Sequence, residues 1–288
     1  MSNIDNLAKL ALVLGWLMPA TLPAATNAYE QEMAAALVRR IDQGEVIWFN
    51  DGGDKFPGIF HQHLMEKAQG AALILHGMGG HPDWPEVIAP LRLNLPARGW
   101  ATLSLQLPKL EPGAALSGYG ETMARASSRV RSAIRYLRDK KFLNIVIIGY
   151  SFGATTGAYY LAEGGTGVQA FVGISMQEFD FLNPRLDLNT CLERIDIPIL
   201  DLYASRDFSE VLRQSEERHL EAKKMNRQQY QQIAIDGADH YFTGIEGVMI
   251  RRIRDWLDKA APGERVITDD KIKDRIESDS PEKTGNLR

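Results

Sequence analysis

Asn144-Ile145-Val146-Ile147-Ile148-Gly149-Tyr150-Ser151-Phe152-Gly153-Ala154 is the stretch on which the fold turns. Its apolar run is short, rich in β-branched side chains and bounded by a glycine, the pattern of a strand buried on both faces of a parallel sheet. Residues 151–161 then read as a helix. A strand that passes into a helix through Gly-x-Ser-x-Gly makes a sharp, strained turn at the serine, the nucleophile elbow. Gly149 and Gly153 leave room where a Cβ would clash. The turn lifts Ser151 Oγ clear of the sheet, and the helix N-terminus behind it favours negative charge developing there.

Upstream, residues 71–75 read as another buried strand, ending in His76-Gly77-Met78-Gly79-Gly80-His81-Pro82-Asp83-Trp84-Pro85. An acyl-transfer site needs two backbone N–H donors aimed at one oxyanion. Phe152, the residue after the serine, offers one, and this glycine-rich loop offers the other, at Met78. No Lys-Ser/Thr pair follows the glycines, so the loop is not a nucleotide-phosphate cradle. His76 and His81 are read as structural or pocket-lining. Residues 85–97 read as a helix and 101–107 as a strand. The loop 108–120 leaves the C-terminal end of that strand, where open α/β sheets bind ligands. Tyr119 on this loop and Tyr150 beside the serine are therefore candidate pocket residues. Residues 121–140 form an amphipathic helix with Met123, Ala126, Val130, Ile134 and Leu137 along its apolar stripe. Arg125, Arg129, Arg131, Arg135 and Arg138 are expected on its solvated face.

Nearer the N-terminus, residues 29–43 read as an amphipathic helix with Met33, Ala36, Leu37 and Ile41 on one side. Residues 46–49 and 58–63 read as short edge strands. His61 and His63 share a face, but no third ligand stands near to make a metal site. Beyond the elbow helix come strands at 168–175, 197–204 and 230–235, with helices at 210–224 and 245–261. Strands and helices alternate from Ala71 onward, so the sheet should be mostly parallel and doubly wound.

Ser151, Asp207 and His240 each lie just past a different strand. In a parallel sheet those ends share one edge, so three sequence-distant groups can converge. His240 would take the Ser151 proton, and Asp207 would fix the imidazole tautomer. Two other acids compete for the last role. Asp201 sits inside a strand between Leu200 and Leu202, where a structural hydrogen bond suits it. Asp239 adjoins His240, and neighbouring side chains rarely meet in that geometry.

These motifs resemble the α/β-hydrolase superfamily over residues 45–261, in which the nucleophile, acid and base follow in the order Ser…Asp…His. More narrowly, His76-Gly77, His81-Pro82-Asp83-Trp84-Pro85 and Gly99-Trp100-Ala101-Thr102-Leu103-Ser104-Leu105-Gln106-Leu107-Pro108 resemble an uncharacterised bacterial branch known only as a domain of unknown function. The superfamily resemblance implies a serine hydrolase with Ser151, Asp207 and His240 as its triad. It implies no metal or organic cofactor. The branch resemblance points to a Gram-negative envelope setting. About twenty residues separate Ser175 from Ile197, too few for a large mobile lid. An esterase with an open pocket is expected, acting on a small or envelope-displayed ester or acyl group. A thioesterase or acyltransferase using the same triad is the alternative, and a non-catalytic envelope binding protein is the reading from a different class.

Composition agrees with one ordinary globular domain: 288 residues, 44% hydrophobic and 24% charged. With 33 basic against 37 acidic residues and a net charge of −4, no bulk charge draws the chain to nucleic acid. Cys191 is the single cysteine, so no internal disulfide can form. Residues 1–28 carry an apolar run, Leu10 to Met18, after Lys9, and then small residues, the pattern of a secretory signal peptide. Cleavage would put the mature chain in the periplasm or outside the cell; an uncleaved chain would be cytoplasmic. The run is too short for a stable membrane span. Residues 29–261 would form the hydrolase domain and 262–288 a charged, disordered tail. The oligomeric state is not legible here.

Overall fold

The computed structural model describes residues 28–52, 55–224 and 228–263. The expected leader and tail lie outside these residues, save for Ala28 and residues 262–263.

Chain order is α1 (Ala28–Val38), β1 (Glu45–Asn50), β2 (Lys55–His61), β3 (Gly70–Leu75), α2 (Ile88–Asn94), β4 (Trp100–Leu105) and α3 (Met123–Asp139), followed by β5 (Ile145–Tyr150) and α4 (Phe152–Ala162). Then come β6 (Ala170–Ile174), α5 (Leu188–Glu193), β7 (Ile199–Arg206), α6 (Ser209–Lys224), β8 (Tyr230–Asp239) and α7 (Glu246–Ala260). Among the described residues the strands form one eight-stranded sheet in the order β1-β2-β4-β3-β5-β6-β7-β8. β1 and β2 run antiparallel at one edge, and every pairing from β4 to β8 is parallel. This is the α/β-hydrolase fold.

The strands at the centre of the sheet, β3, β4, β5 and β6, are buried along their whole length, and the two polar side chains of β4, Thr102 and Ser104, are satisfied by donating to Arg92 O and Pro82 O. Alternate side chains supply two cores. Leu73, Leu75, Ile145 and Ile147 pack with α3 and α4 on one face. Ile74, Val146, Ile148 and Leu200 pack with α2 and α7 on the other. Residues 175–198, between β6 and β7, carry only the short helix α5, which packs against α4. No lid is built from the described residues.

Three expectations need correction. The first helix ends at Val38 rather than residue 43, and its most buried line is Glu30 and Ala34; Met33, Ala36 and Leu37 are only half-covered. The second helix is shorter than residues 85–97, running from Ile88 to Asn94 with a separate three-ten turn at Pro96–Arg98, where a proline cannot donate to the helix ladder. The third correction concerns Arg129, which is wholly buried rather than on a solvated face. Its guanidinium pairs with Glu30 of α1, bonds Asp51 at 2.7 Å and lies 4.4 Å from the centroid of the Phe56 ring. Arg125, one turn away, reaches the same Asp51 carboxylate at 2.8 Å. The buried ion pair explains why Glu30 turns inward and takes the place an apolar side chain was expected to fill.

Candidate active site

Ser151, Asp207 and His240 are each the first residue after a strand, β5, β7 and β8 respectively. The parallel pairing puts those ends on one edge of the sheet. Ser151 has φ 52° and ψ −118°, a strained conformation for a residue with a Cβ. Its surroundings hold it there. The Ser151 N–H donates to Ile174 O at 2.8 Å, and its carbonyl accepts from Ala154 and Thr155 in the first turn of α4. A Cβ on Gly149 would meet Ala154 Cα and Gly153 O at 2.5 Å, and one on Gly153 would meet Leu75 O at 2.3 Å. The two glycines are therefore steric necessities of the elbow.

His240 Nδ1 lies 2.5 Å from Asp207 Oδ1. The carboxylate also accepts from Ser175 Oγ at 2.5 Å and from the Phe208 N–H at 2.8 Å. Burial alone would raise the Asp207 pKa. The hydrogen bonds from His240 and Ser175, the His240 charge and the Phe208 N–H outweigh it and hold the carboxyl below its usual range. A carboxylate facing Nδ1 fixes the proton on that nitrogen and leaves Nε2 as the free base. The imidazole is walled by aromatic rings. Phe208 stacks on it at 4.2 Å between centroids, with Tyr150 at 5.3 Å and Tyr241 at 5.4 Å. Tyr150 also donates its hydroxyl to His240 O at 3.2 Å, and burial, then the nearby Tyr241 and Asp207, raise its pKa and keep it protonated.

Ser151 Oγ and His240 Nε2 are not hydrogen-bonded to each other or to any described residue. Neither belongs to the buried atoms left without a partner, so both meet solvent. The two competing acids are committed elsewhere. Asp201 is wholly buried and accepts from Arg218 at 2.8 Å, Tyr230 at 2.5 Å and Gln232 at 3.0 Å. Asp239 caps the turn after β8, accepting from the N–H groups of Tyr241 and Thr243, both at 3.1 Å.

Across from the elbow, residues 77–80 form a tight turn in which the Gly80 N–H donates to Gly77 O at 3.0 Å and Gly79 takes φ +68°. The Met78 and Phe152 N–H groups have no acceptor among the described residues. The loop and the elbow touch, since a Cβ on Gly77 would lie 3.5 Å from Ser151 Cβ. His76 is buried, with Nδ1 2.8 Å from Gly77 O and Nε2 accepting from the Leu107 N–H at 3.0 Å. Those partners require the neutral ring protonated on Nδ1. Burial, followed by the charge of Lys109, pulls its pKa down to about 3 despite the Gly77 hydrogen bond. His81 is half-buried, takes the Asp83 N–H on Nδ1 at 3.2 Å and sits edge-on to Trp84. Tyr119 is buried edge-on to Phe152, with its hydroxyl beside Gly79, and so packs beneath both donor segments.

Sequence reasoning missed two residues here. Ser175 is the first residue past β6, so the rule that picked out Ser151, Asp207 and His240 also points to it. Lys109, whose ammonium donates to Gly79 O at 2.9 Å and Gly80 O at 3.1 Å, carries no motif at all. Among the described residues no cluster of three or more metal-ligating side chains occurs; His61 and His63 each bond a neighbouring carbonyl through Nδ1. Burial pushes the Cys191 thiol up to about 11, which keeps it protonated.

Residues 17–124 and 120–259 match the family described as protein of unknown function, DUF3530. The chain belongs to that family. No curated protein matches it. Solved structures resemble it in fold. The dienelactone hydrolase of Anabaena variabilis superposes with a TM-score of 0.62 at 21% identity, covering 76% of this chain and 98% of that one. An α/β serine hydrolase homologue from Coxiella burnetii reaches 0.60 at 14% identity, covering 75% and 99%. A Xanthomonas campestris member of the α/β serine hydrolases without lid reaches 0.57 at 12% identity, covering 78% and 98%. No helix of the described residues is long and apolar enough to cross a membrane.

Proposed function

We propose that this DUF3530 protein is a serine hydrolase that cleaves carboxylic esters through an acyl-enzyme on Ser151. The observation that carries the reading is the Asp207–His240 hydrogen bond of 2.5 Å, at the same sheet edge as a serine on a strained elbow. Strain of this kind persists only where the surroundings over-determine it, and it concentrates at functional sites. One fold relative is named a dienelactone hydrolase and another a serine hydrolase homologue, which supports a hydrolase.

In the proposed reaction, His240 Nε2 takes the Ser151 hydroxyl proton as Oγ attacks the ester carbonyl carbon. The carbonyl oxygen becomes an anion held by the Met78 and Phe152 N–H groups. The tetrahedral adduct collapses, the carbon–oxygen bond to the alcohol breaks, and the imidazolium gives its proton to the departing oxygen. Water then attacks the acyl-enzyme, losing its proton to His240, and the acid leaves as Ser151 recovers its proton. Asp207 keeps Nδ1 protonated and offsets the imidazolium charge. A Ser151–His240 bond absent without substrate is compatible with this scheme, because such bonds commonly tighten only in the substrate complex.

Phe208 and Tyr241, both about half exposed beside His240, would wall the alcohol side of the site. The lidless architecture suits a soluble ester or an acyl group displayed on a larger envelope molecule, the latter if residues 1–28 direct export. The test treats wild type and Ser151→Ala with a fluorophosphonate and then assays both on short- and medium-chain p-nitrophenyl esters. Labelling and turnover confined to wild type support the proposal. A folded wild type that takes no label refutes it and favours a binding role. Transfer of the acyl group to an added alcohol or amine faster than to water would recast the protein as an acyltransferase.

A further inference from the structure

Resting on the hydrolase reading above, we infer that Lys109 is a positioning residue for the oxyanion hole, acting through a chain of two peptide groups that ends at the Met78 N–H. Lys109 Nζ donates to Gly79 O at 2.9 Å. The other end of that peptide is the Gly80 N–H, which donates to Gly77 O at 3.0 Å. The other end of the next peptide is the Met78 N–H. Both peptides are trans, so in each the N–H points opposite to its carbonyl. A cation therefore stands at one end of the series, and an unpartnered N–H at the other. His76 Nδ1, 2.8 Å from Gly77 O, pulls on the same carbonyl and keeps the second peptide plane from rotating.

Two consequences follow from this arrangement. The first is geometric. With Gly77 O held by His76 and Gly80, the Met78 N–H of the same trans peptide points away from them, and a Cβ on Gly77 itself would lie 3.5 Å from Ser151 Cβ. Glycines at 77, 79 and 80 gain freedom of movement along with close approach, so an external clamp is needed to select one loop conformation. The second 3.1 Å bond, from Lys109 to Gly80 O, clamps the third carbonyl of the turn. The second consequence is electrostatic. Hydrogen bonds in series polarise one another, and a charged donor at the head strengthens those that follow. The charge on Lys109 thus favours a negative oxygen at the Met78 end without Lys109 touching substrate. Burial lowers the Lys109 pKa, with the charge of Glu30 opposing the shift.

The experiment compares the full chain as wild type, Lys109→Met and Lys109→Arg. It measures kcat and KM on p-nitrophenyl butyrate, the second-order rate of fluorophosphonate labelling, and Tm. Methionine keeps the stem and removes the charge. Because the lysine acts through the donor rather than as one, the loss should be smaller than the ~10²–10³-fold of a deleted oxyanion donor, on the order of tenfold in both kcat and labelling rate. KM and Tm should stay near wild type, and Lys109→Arg should recover most of the loss. Labelling of Lys109→Met at the wild-type rate overturns the inference. A loss in Lys109→Met that tracks a lowered Tm and that arginine does not repair makes the residue merely structural and also overturns it. A folded wild type that neither labels nor turns over refutes the hydrolase reading itself, a separate outcome.

Discussion

His76 offers the sharpest quantitative test of how the glycine-rich loop is held. In the folded chain both ring nitrogens are engaged, one donating to Gly77 O and one accepting from the Leu107 N–H, so the ring cannot take a second proton without losing a partner. Its pKa falls from 6.5 to about 3. A folded-state value below the unfolded one means that the unfolded chain binds the extra proton first as pH falls. Stability due to this residue is therefore complete above pH 6.5, is lost progressively as pH drops and stops changing below about 3. Between pH 7.5 and 5 the loss is RT times the logarithm of the ratio of unfolded to folded binding terms, about 2 kcal/mol. For a domain of this size that corresponds to a Tm lower by about 4–8 °C from this residue alone. Other groups titrate in the same window, so the assay is a difference of differences. Tm and urea stability would be measured at pH 7.5 and 5 for wild type and for His76→Gln, whose amide can donate and accept but cannot ionise here. The variant should be less stable at pH 7.5 and should lose about 2 kcal/mol less than wild type on acidification. Equal losses in the two proteins would refute the assignment of a buried neutral His76.

Asp207→Asn should leave the fold intact but cut esterase turnover and fluorophosphonate labelling by about 10³–10⁴-fold, because the amide no longer enforces protonation of His240 on Nδ1. Gly153→Ala places a methyl group 2.3 Å from Leu75 O and 2.6 Å from His76 O, both backbone atoms with nowhere to go. It should exceed the usual ~1–3 kcal/mol of an overpacked core and yield little folded protein, read by soluble yield and circular dichroism. Arg129→Met takes the buried guanidinium away from the Glu30 carboxylate and leaves Asp51 with Arg125, and should cost about 3–5 kcal/mol in urea unfolding. The depressed pKa of Asp51 supplies stability above pH 3.8 that is lost as pH falls through its folded value; removing Arg129 weakens that depression, so the variant, though less stable at neutral pH, should lose less stability than wild type on acidification through that range.

The elements at the edge that carries the proposed site were legible from short stretches of sequence. β5 reads as a strand from five residues, and the serine after it needs glycines on both sides for steric reasons that hold in any sequence. Asp207 and His240 became candidates as an acid and a base lying just past parallel strands read at 197–204 and 230–235; in the structure β7 and β8 run on to Arg206 and Asp239, directly beside them. Choosing Asp207 over Asp201 needed only the fact that Asp201 lies inside a strand, and its three donors now explain how that carboxylate is satisfied. Arg129 was illegible for a different reason. Its partners, Glu30 and Asp51, lie 99 and 78 residues away in sequence, and helical periodicity treats any arginine off the apolar stripe as solvated. Lys109 was hidden in the same way, since its partners are carbonyls of a loop thirty residues upstream, and backbone acceptors leave no trace in residue types.

These hidden groups lie on one continuous path. Arg129 Nη1 donates to Gln106 O at 3.2 Å as well as to Glu30. The Gln106 side chain donates to Leu107 O at 2.6 Å, and the Leu107 N–H in turn holds His76 Nε2. His76 grips Gly77, whose peptide ends at the Met78 N–H. Residues 106–107, just past β4, are thus the point where a charge buried under α1 and α3 meets the loop that faces Ser151. A polar path of this length through a core is costly unless its members are satisfied, and here each donor named finds its acceptor except the terminal Met78 N–H, the proposed oxyanion donor. Its effect is that the loop is pinned from below by groups that never reach the solvent-facing side, while α4 and β6 pin the Ser151 backbone from behind. Both halves of the proposed site are then rigid before any ester arrives, which is the condition under which hydrogen-bond donors stabilise a developing charge without having to reorganise.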